Sequence, residues 1–167
     1  MKFRDIPQIS RASYQTDVPL DAIEDTLARY QQQYNLNMEP DFQRAHVWTE
    51  EQQVRFVEFL LRGGQSGRTI LFNHPGWMTT FKGEFVLVDG LQRLTAILRF
   101  LRGEIKAFGL AIDEFEGRIP TGISLTLQVN DLKTRDDVLQ WYVDLNAGGT
   151  VHTDEEIAKV KRMKEQV

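Results

Sequence analysis

The chain has no cysteine among its 167 residues. That excludes disulfides, thiolate zinc sites and a cysteine nucleophile. It has only three histidines, His46, His74 and His152, and no two of them stand one helical turn apart as a metal-binding pair would. No apolar run approaches the ~20 residues a membrane helix needs. The longest, Phe85-Val86-Leu87-Val88, is strand-sized. No apolar stretch follows Met1-Lys2-Phe3-Arg4-Asp5, so the expectation is a cytoplasmic protein with no secretory peptide and no membrane partner. No Gly-Lys-Ser/Thr follows a glycine run, which excludes a P-loop, and no Ser-His-Asp order stands out. Positive charge is not in excess: 20 Lys+Arg against 24 Asp+Glu give a net charge of −4. That argues against a protein that coats nucleic acid by charge alone, and leaves room for a local basic patch.

What is present suffices for a core. The chain is 41% hydrophobic and 10% aromatic, too apolar for disorder, and its length fits one domain. The stretch to Thr16 lacks periodicity and reads as an N-terminal arm (1–16), with the domain proper over 17–167. Asp17-Val18-Pro19-Leu20 reads as a helix start, with Asp17 as cap and Pro19 in the first turn. Leu20, Ile23, Leu27, Tyr30 and Tyr34 continue at helical spacing. Asn35 to Pro40 reads as a turn, and Phe42 to Trp48 as a short strand or extended segment. Thr49-Glu50-Glu51-Gln52 is a capping box. It opens a helix with Val54, Val57, Leu60 and Leu61 inward, which ends at Gly63-Gly64. Thr69 to Phe72 and Phe85 to Val88 read as buried strands. Leu91, Leu94, Ile97, Leu98 and Leu101 form a helical stripe that closes at Gly103, and Ile123 to Val129 alternates as an amphipathic strand. Thr134 caps a further helix, which Asn146-Ala147-Gly148-Gly149-Thr150 breaks. Thr153 starts a last one with acid first and base at its tail (Lys159, Lys161, Arg162, Lys164), which suits the helix dipole. The predicted class is α+β, a single domain with a small mixed sheet and flanking helices.

Three clusters carry the chemistry. The sharpest is a strand running through Asp89-Gly90 into a helix. A helix N-terminus offers unpaired N–H groups and a positive dipole end, and a glycine there lets an anion approach the backbone. Arg93 lies in the first turn, within reach of a phosphate. Asp89 can hold Mg²⁺ or orient a water, and Gln92 and Thr95 add neutral polar groups. Spacing alone leaves a second reading open, in which Asp-Gly is an ordinary cap and Arg93 a solvated face residue. The second cluster is Phe42-Gln43-Arg44-Ala45-His46-Val47-Trp48. In an extended segment Phe42 and Arg44 share a face with Gln43 opposite, and Trp48 anchors in the core. The third, Asp144-Leu145-Asn146-Ala147-Gly148-Gly149-Thr150, reads as a C-cap and loop or as a nest of N–H groups for an anion.

In order and rough spacing the three clusters resemble the N-terminal domain family of GmrSD-type restriction endonucleases, within the ParB/sulfiredoxin-like superfamily. Its F-Q-R then V-W signature is matched by Phe42-Gln43-Arg44 and Val47-Trp48. Its D-G-Q-Q-R-L-T signature is matched by Asp89-Gly90-Leu91-Gln92-Arg93-Leu94-Thr95. Asn146, Gly148, Gly149, Thr153 and Glu155 or Glu156 match an N-x-G-G turn and the capped helix after it. The resemblance implies a ParB-like fold and a pocket for a nucleoside triphosphate with Mg²⁺. In that pocket Asp89, Gln92 and Arg93 would be the catalytic residues and Asp89 the metal ligand. Gln43, Arg44, Gly90, Arg93, Thr95 and Asn146 would be the nucleotide-binding residues. It further implies slow NTP hydrolysis in restriction or counter-restriction, in a phage or mobile-element protein working in the host cytoplasm.

Two departures stand out. Leu91 replaces the first glutamine of D-G-Q-Q-R with an apolar side chain that positions neither water nor phosphate. No histidine cluster of an HNH nuclease is present, so DNA cleavage of that kind is not expected. An adaptor that binds DNA or a host or phage defence protein through the basic last helix is the alternative. Nuclease action by gathered carboxylates, Asp89 with Asp113, Glu114 and Glu116, is the third reading.

Overall fold

Strict alternation between Ser124 and Asn130 sends Leu125, Leu127 and Val129 fully into the core, while the residues between them stay half-buried on the opposite face. This is the amphipathic pattern of a strand, and it forms one in the computed structural model of the chain, which describes residues 1–7, 13–43, 47–147 and 154–166. The strands are β1 (Ser13–Pro19), β2 (Thr69–Asn73), β3 (Val86–Asp89) and β4 (Ser124–Asn130). They form one sheet in the order β1-β4-β2-β3. β4 runs antiparallel to β1, from Ser13↔Asn130 to Pro19↔Ser124, and parallel to β2, from Thr69↔Thr126 to Asn73↔Asn130. β2 and β3 are antiparallel, with a shift of register between Leu71 and Phe72.

The helices are α1 (Ile23–Tyr34), α2 (Glu50–Leu61), α3 (Leu91–Leu101), α4 (Arg135–Ala147) and α5 (Asp154–Glu165). Ile23, Leu27 and Tyr30 of α1 and Leu94 and Ile97 of α3 pack on Ile70, Phe72, Leu87, Leu125, Leu127 and Val129 of the sheet. On the other face Val86 and Val88 of β3 meet Val138, Leu139 and Tyr142 of α4 and Val160 of α5. β3 is therefore covered on both faces, which is why it reads as an unbroken apolar run. The fold is mixed α+β, as expected.

β3 lies at the sheet edge, where unpaired backbone groups invite unwanted pairing. Here the edge is closed locally. The Asn37 N–H donates to Phe85 O (2.8 Å), the Leu87 N–H donates to Asn37 O (3.0 Å), and Gln43 Nε2 donates to Leu87 O (2.9 Å) and Val88 O (2.8 Å). Thr49 opens α2 with the expected capping box. Thr134 Oγ accepts the Asp137 N–H at 3.1 Å at the start of α4.

Three local expectations are corrected. Ser13 to Thr16 belong to β1 rather than to an arm, because β4 supplies their partners. Asp17 caps no helix: it stays in the strand, where its carboxylate accepts from Thr126 Oγ (2.6 Å), and a short 3-10 turn at Leu20–Ala22 precedes α1. Pro40 to Gln43 form a turn closed by Gln43 N–H to Pro40 O (3.0 Å), not a strand. Within that expected segment Arg44 to His46 lie outside the described residues, as does the cap expected at Thr153, while Val47 and Trp48 are described and carry no strand.

His74 at the end of β2 is fully buried. Its ring lies 5.4 Å from Phe85 and 5.7 Å from Trp77, centroid to centroid. Nδ1 accepts the Gly76 N–H (3.1 Å), so the proton sits on Nε2, which has no hydrogen-bond partner among the described residues. Burial lowers its pKa from the ordinary 6.5. The unfolded chain takes up a proton below that value and the native state resists it. This contribution to stability is therefore complete above about pH 6.5 and falls as the pH drops below it, by at most about 1.4 kcal/mol per pH unit. Denaturant titrations between about pH 7 and pH 5 should show this loss in the wild type and a shallower one in His74→Phe. Equal slopes would contradict it.

Candidate functional site at the junction of β3 and α3

β3 delivers Asp89 to the sheet edge, and the chain then turns through Gly90 at φ 109° into α3. Glycine is required here twice over. The conformation is one that side-chain-bearing residues rarely adopt, and a Cβ would stand 2.6 Å from Ile70 Cδ1. Gly90 is also the N-cap, and it offers α3 no side-chain cap. The first-turn N–H groups therefore keep their capacity to bind a ligand or water.

Around this turn the polar side chains are held by named partners. Arg93 is 19% exposed, and its Nη2 donates to Asp89 Oδ2 (2.8 Å). Its Nη1 donates to the backbone oxygens of Gly67 (2.6 Å) and Thr69 (2.8 Å). Gln92 Oε1 accepts the N–H groups of Val47 (3.1 Å) and Trp48 (2.7 Å), which ties the entry to α2 onto α3. Its Nε2 is buried and has no hydrogen-bond partner among the described residues. Asn146 Nδ2 donates back to Tyr142 O (2.6 Å) near the end of α4. Thr95 Oγ donates to Leu91 O (2.7 Å), one turn back.

Asp89, Gln92, Arg93 and Asn146 border a cavity of about 250 Å³. Asp89 and the first turn of α3 form one side of it, Gln43 and Trp48 another, and Tyr142, Leu145 and Asn146 of α4 a third. Among the described lining residues only Asp89 and Arg93 carry charge, and they carry opposite signs. Trp48 and Tyr142 add aromatic side chains to this lining.

The structure thus brings together Gln43, Asp89, Gly90, Gln92, Arg93 and Asn146. It does not bring Thr95 there: that residue lines a neighbouring recess between α1 and α3, with Leu91 shared by both. Arg44 lies outside the described residues. Tyr142 is not among the site residues the sequence points to, and Leu145 enters there only as a member of the Asp144–Thr150 cluster. Their places four and one residues before Asn146 put all three on one helical face, the signal that would have found them. Among the described residues no group of three or more histidines and carboxylates is placed to hold a metal. Asp113, Glu114 and Glu116 therefore do not gather with Asp89 into a carboxylate centre.

A sequence model of the family described as "GmrSD restriction endonuclease, N-terminal domain" matches residues 23–124. The match runs from the start of α1 into β4 and takes in Gln43 and the whole Asp89–Thr95 turn, but not Asn146. No curated protein and no solved structure matches the chain.

Proposed function

The chain belongs to the GmrSD restriction endonuclease N-terminal domain family, and from that premise we propose that the cavity at the β3–α3 junction binds a nucleoside triphosphate together with Mg²⁺. The work it serves is restriction or counter-restriction. The mixed sheet with helices on both faces is consistent with the ParB-like superfamily.

One observation carries the reading. The D-G-x-Q-R residues, Gln43 and Asn146 line a single cavity at an uncapped helix N-terminus, with aromatic walls beside it. Phosphates are held by such N-termini, and a base packs on the aromatic faces. The described lining carries no net charge, so the charge of a triphosphate has to be met chiefly by a cation that arrives with it. Mg²⁺ fits that requirement, because it binds by one or two carboxylates plus substrate phosphates rather than by an all-protein cage. Asp89 is the residue that would hold it. Its Oδ2 is engaged by Arg93, and Oδ1 has no hydrogen bond among the described residues. Bound there, the ion supplies charge neutralisation on the phosphates. Slow hydrolysis is part of the proposal, with Leu91 the reason for its slowness: it offers a candidate attacking water no polar group where the family carries glutamine.

Calorimetric titration with ATP, GTP, CTP and UTP in turn, each with Mg²⁺, tests the reading. At least one is expected to bind saturably with a Kd below about 1 mM, that is, more favourably than about −4 kcal/mol. No heat from any of the four at millimolar ligand overturns it.

A second reading rests on α5, whose Lys159, Lys161 and Arg162 are exposed. A DNA-binding adaptor would show duplex affinity that falls steeply with salt and does not respond to nucleotide.

A further inference from the structure

We propose that Arg93 is a positioning residue that fixes the metal-holding carboxylate of Asp89, and is not itself a phosphate ligand. The proposal rests on the nucleotide reading above and deepens it. An arginine in the first turn of a helix beside a phosphate cradle suggests direct contact, in the bidentate manner that guanidinium favours. The geometry points elsewhere. Nη1 gives both of its hydrogens to backbone carbonyls, those of Gly67 and Thr69, and Nη2 gives one to Asp89 Oδ2. A bidentate grip through the Nη1/Nη2 edge needs a parallel pair of N–H groups, and Nη1 has none left to offer; a grip through the Nε/Nη2 edge would draw on the same Nη2 that holds Asp89.

The side chain is also packed in place. Gly67 and Gly90 both adopt positive φ, 78° and 109°, and a Cβ at either would come within 3.5 Å of it, at Cδ and Nη2 respectively. The guanidinium lies between these two turns and links three pieces of chain: the approach to β2, the end of β3 and the first turn of α3. Swinging it toward a ligand would leave two carbonyls and a carboxylate without their donor. Keeping it in place leaves Asp89 oriented, with Oδ2 held and Oδ1, which has no hydrogen bond among the described residues, turned to the cation's use. A partner of this kind, one bond removed from the metal, sets the direction and basicity of the group that ligates it.

The test is a Mg²⁺ titration of nucleotide binding, with the tightest binder of ATP, GTP, CTP and UTP as probe, on the wild type, Asp89→Asn, Arg93→Gln and the double variant. Asp89→Asn and Arg93→Gln are each expected to raise the Mg²⁺ midpoint by roughly 10- to 100-fold. The double variant is expected to lie within about twofold of Asp89→Asn, because both changes remove the same function. A merely structural role for Arg93 would lower the fraction of competent protein without moving that midpoint. The proposal is overturned by an Arg93→Gln protein that keeps the wild-type midpoint and loses nucleotide affinity, or by effects that multiply in the double variant. Should Arg93→Gln not fold by circular dichroism, Arg93→Lys takes its place. It keeps the charge and a single donor for Asp89, and its midpoint is expected between those of wild type and Asp89→Asn. A wild-type midpoint in Arg93→Lys with weaker nucleotide affinity again overturns the proposal. A wild type that binds none of the four nucleotides sinks the nucleotide reading instead, and is seen before any variant is made.

Discussion

Phe72→Ala is expected to lower the free energy of unfolding by about 3–5 kcal/mol. Phe72 sits on β2, one of the two inner strands, and is fully buried. Its ring meets Tyr30 of α1 edge-on at 6.3 Å and Phe85 at 5.8 Å. Truncation removes the apolar area and leaves a cavity that two hydrogen-bonded neighbouring strands hold open, since neither β4 nor β3 can collapse into it without breaking register. Against the roughly 5–15 kcal/mol of an ordinary domain this is a large share. Denaturant unfolding of the variant measures it. A loss under about 1 kcal/mol would mean that the ring is not in the core as described.

Gly90→Ala is expected to cost about 2–5 kcal/mol, from two separable sources. The left-handed conformation costs a residue with a side chain about 1–2 kcal/mol, and forcing a methyl against packed atoms costs about 1–3 kcal/mol more. Here those atoms are Cδ1 and Cγ2 of Ile70, at 2.6 and 3.3 Å from the added Cβ. Gly103→Ala is the control: φ there is +73° and nothing lies within 4 Å of its Cβ. It should show only the conformational part, about 1–2 kcal/mol. Ile70→Val, which removes Cδ1, should cost less in the Gly90→Ala protein than in the wild type, where it removes a buried methylene for about 0.5–1.5 kcal/mol. Equal losses at Gly90 and Gly103 would show that close packing on β2 is not what demands glycine at the turn.

Legibility in the sequence followed the range of the interactions. The stripe Leu91, Leu94, Ile97, Leu98 and Leu101 places α3 over the residues where it lies, and the alternation before Asn130 places β4 to within one residue. Thr49 and Thr134 mark their helices because a cap is a contact between near neighbours. β1 is different. Nothing between Ser13 and Pro19 alternates strongly, and the strand exists because β4, far along the chain, offers it a ladder. Asp17-Val18-Pro19 carries a plausible helix-start pattern that this long-range pairing overrides. Sequence spacing puts Gln43 opposite Phe42 on an extended run, whereas its amide closes the edge of β3 from within a turn.

The candidate site divides the same way. That Asp89, Gly90, Gln92 and Arg93 lie together at a strand-to-helix junction is a local fact, and the sequence shows it. Where Arg93 points is not local, because its acceptors at Gly67 and Thr69 belong to a loop and strand that no spacing rule connects to α3. The same holds for the wall that Tyr142 and Leu145 provide. It depends on α4 packing across the open face of β3 through Val138, Leu139 and Tyr142, which tertiary structure alone brings about. Thr95 shows the reverse. It follows the D-G-x-Q-R turn closely in sequence but stands one helical turn past Leu91 and about half a turn round from Arg93, so its hydroxyl donates to Leu91 O and it lines the other recess.

The proposed function requires that polyphosphate bind at the mouth of α3. Amide chemical shifts of the isotope-labelled protein, followed through a titration with the Mg²⁺ complexes of ATP, GTP, CTP and UTP, test it most directly. The largest changes are expected on the backbone amides of Gly90, Leu91 and Gln92, with Trp48 and the Asn146 side chain following at the same ligand concentrations. Changes confined to Lys159, Lys161 and Arg162 of α5, or to the recess around Thr95 and Arg102, or none at all, would contradict it.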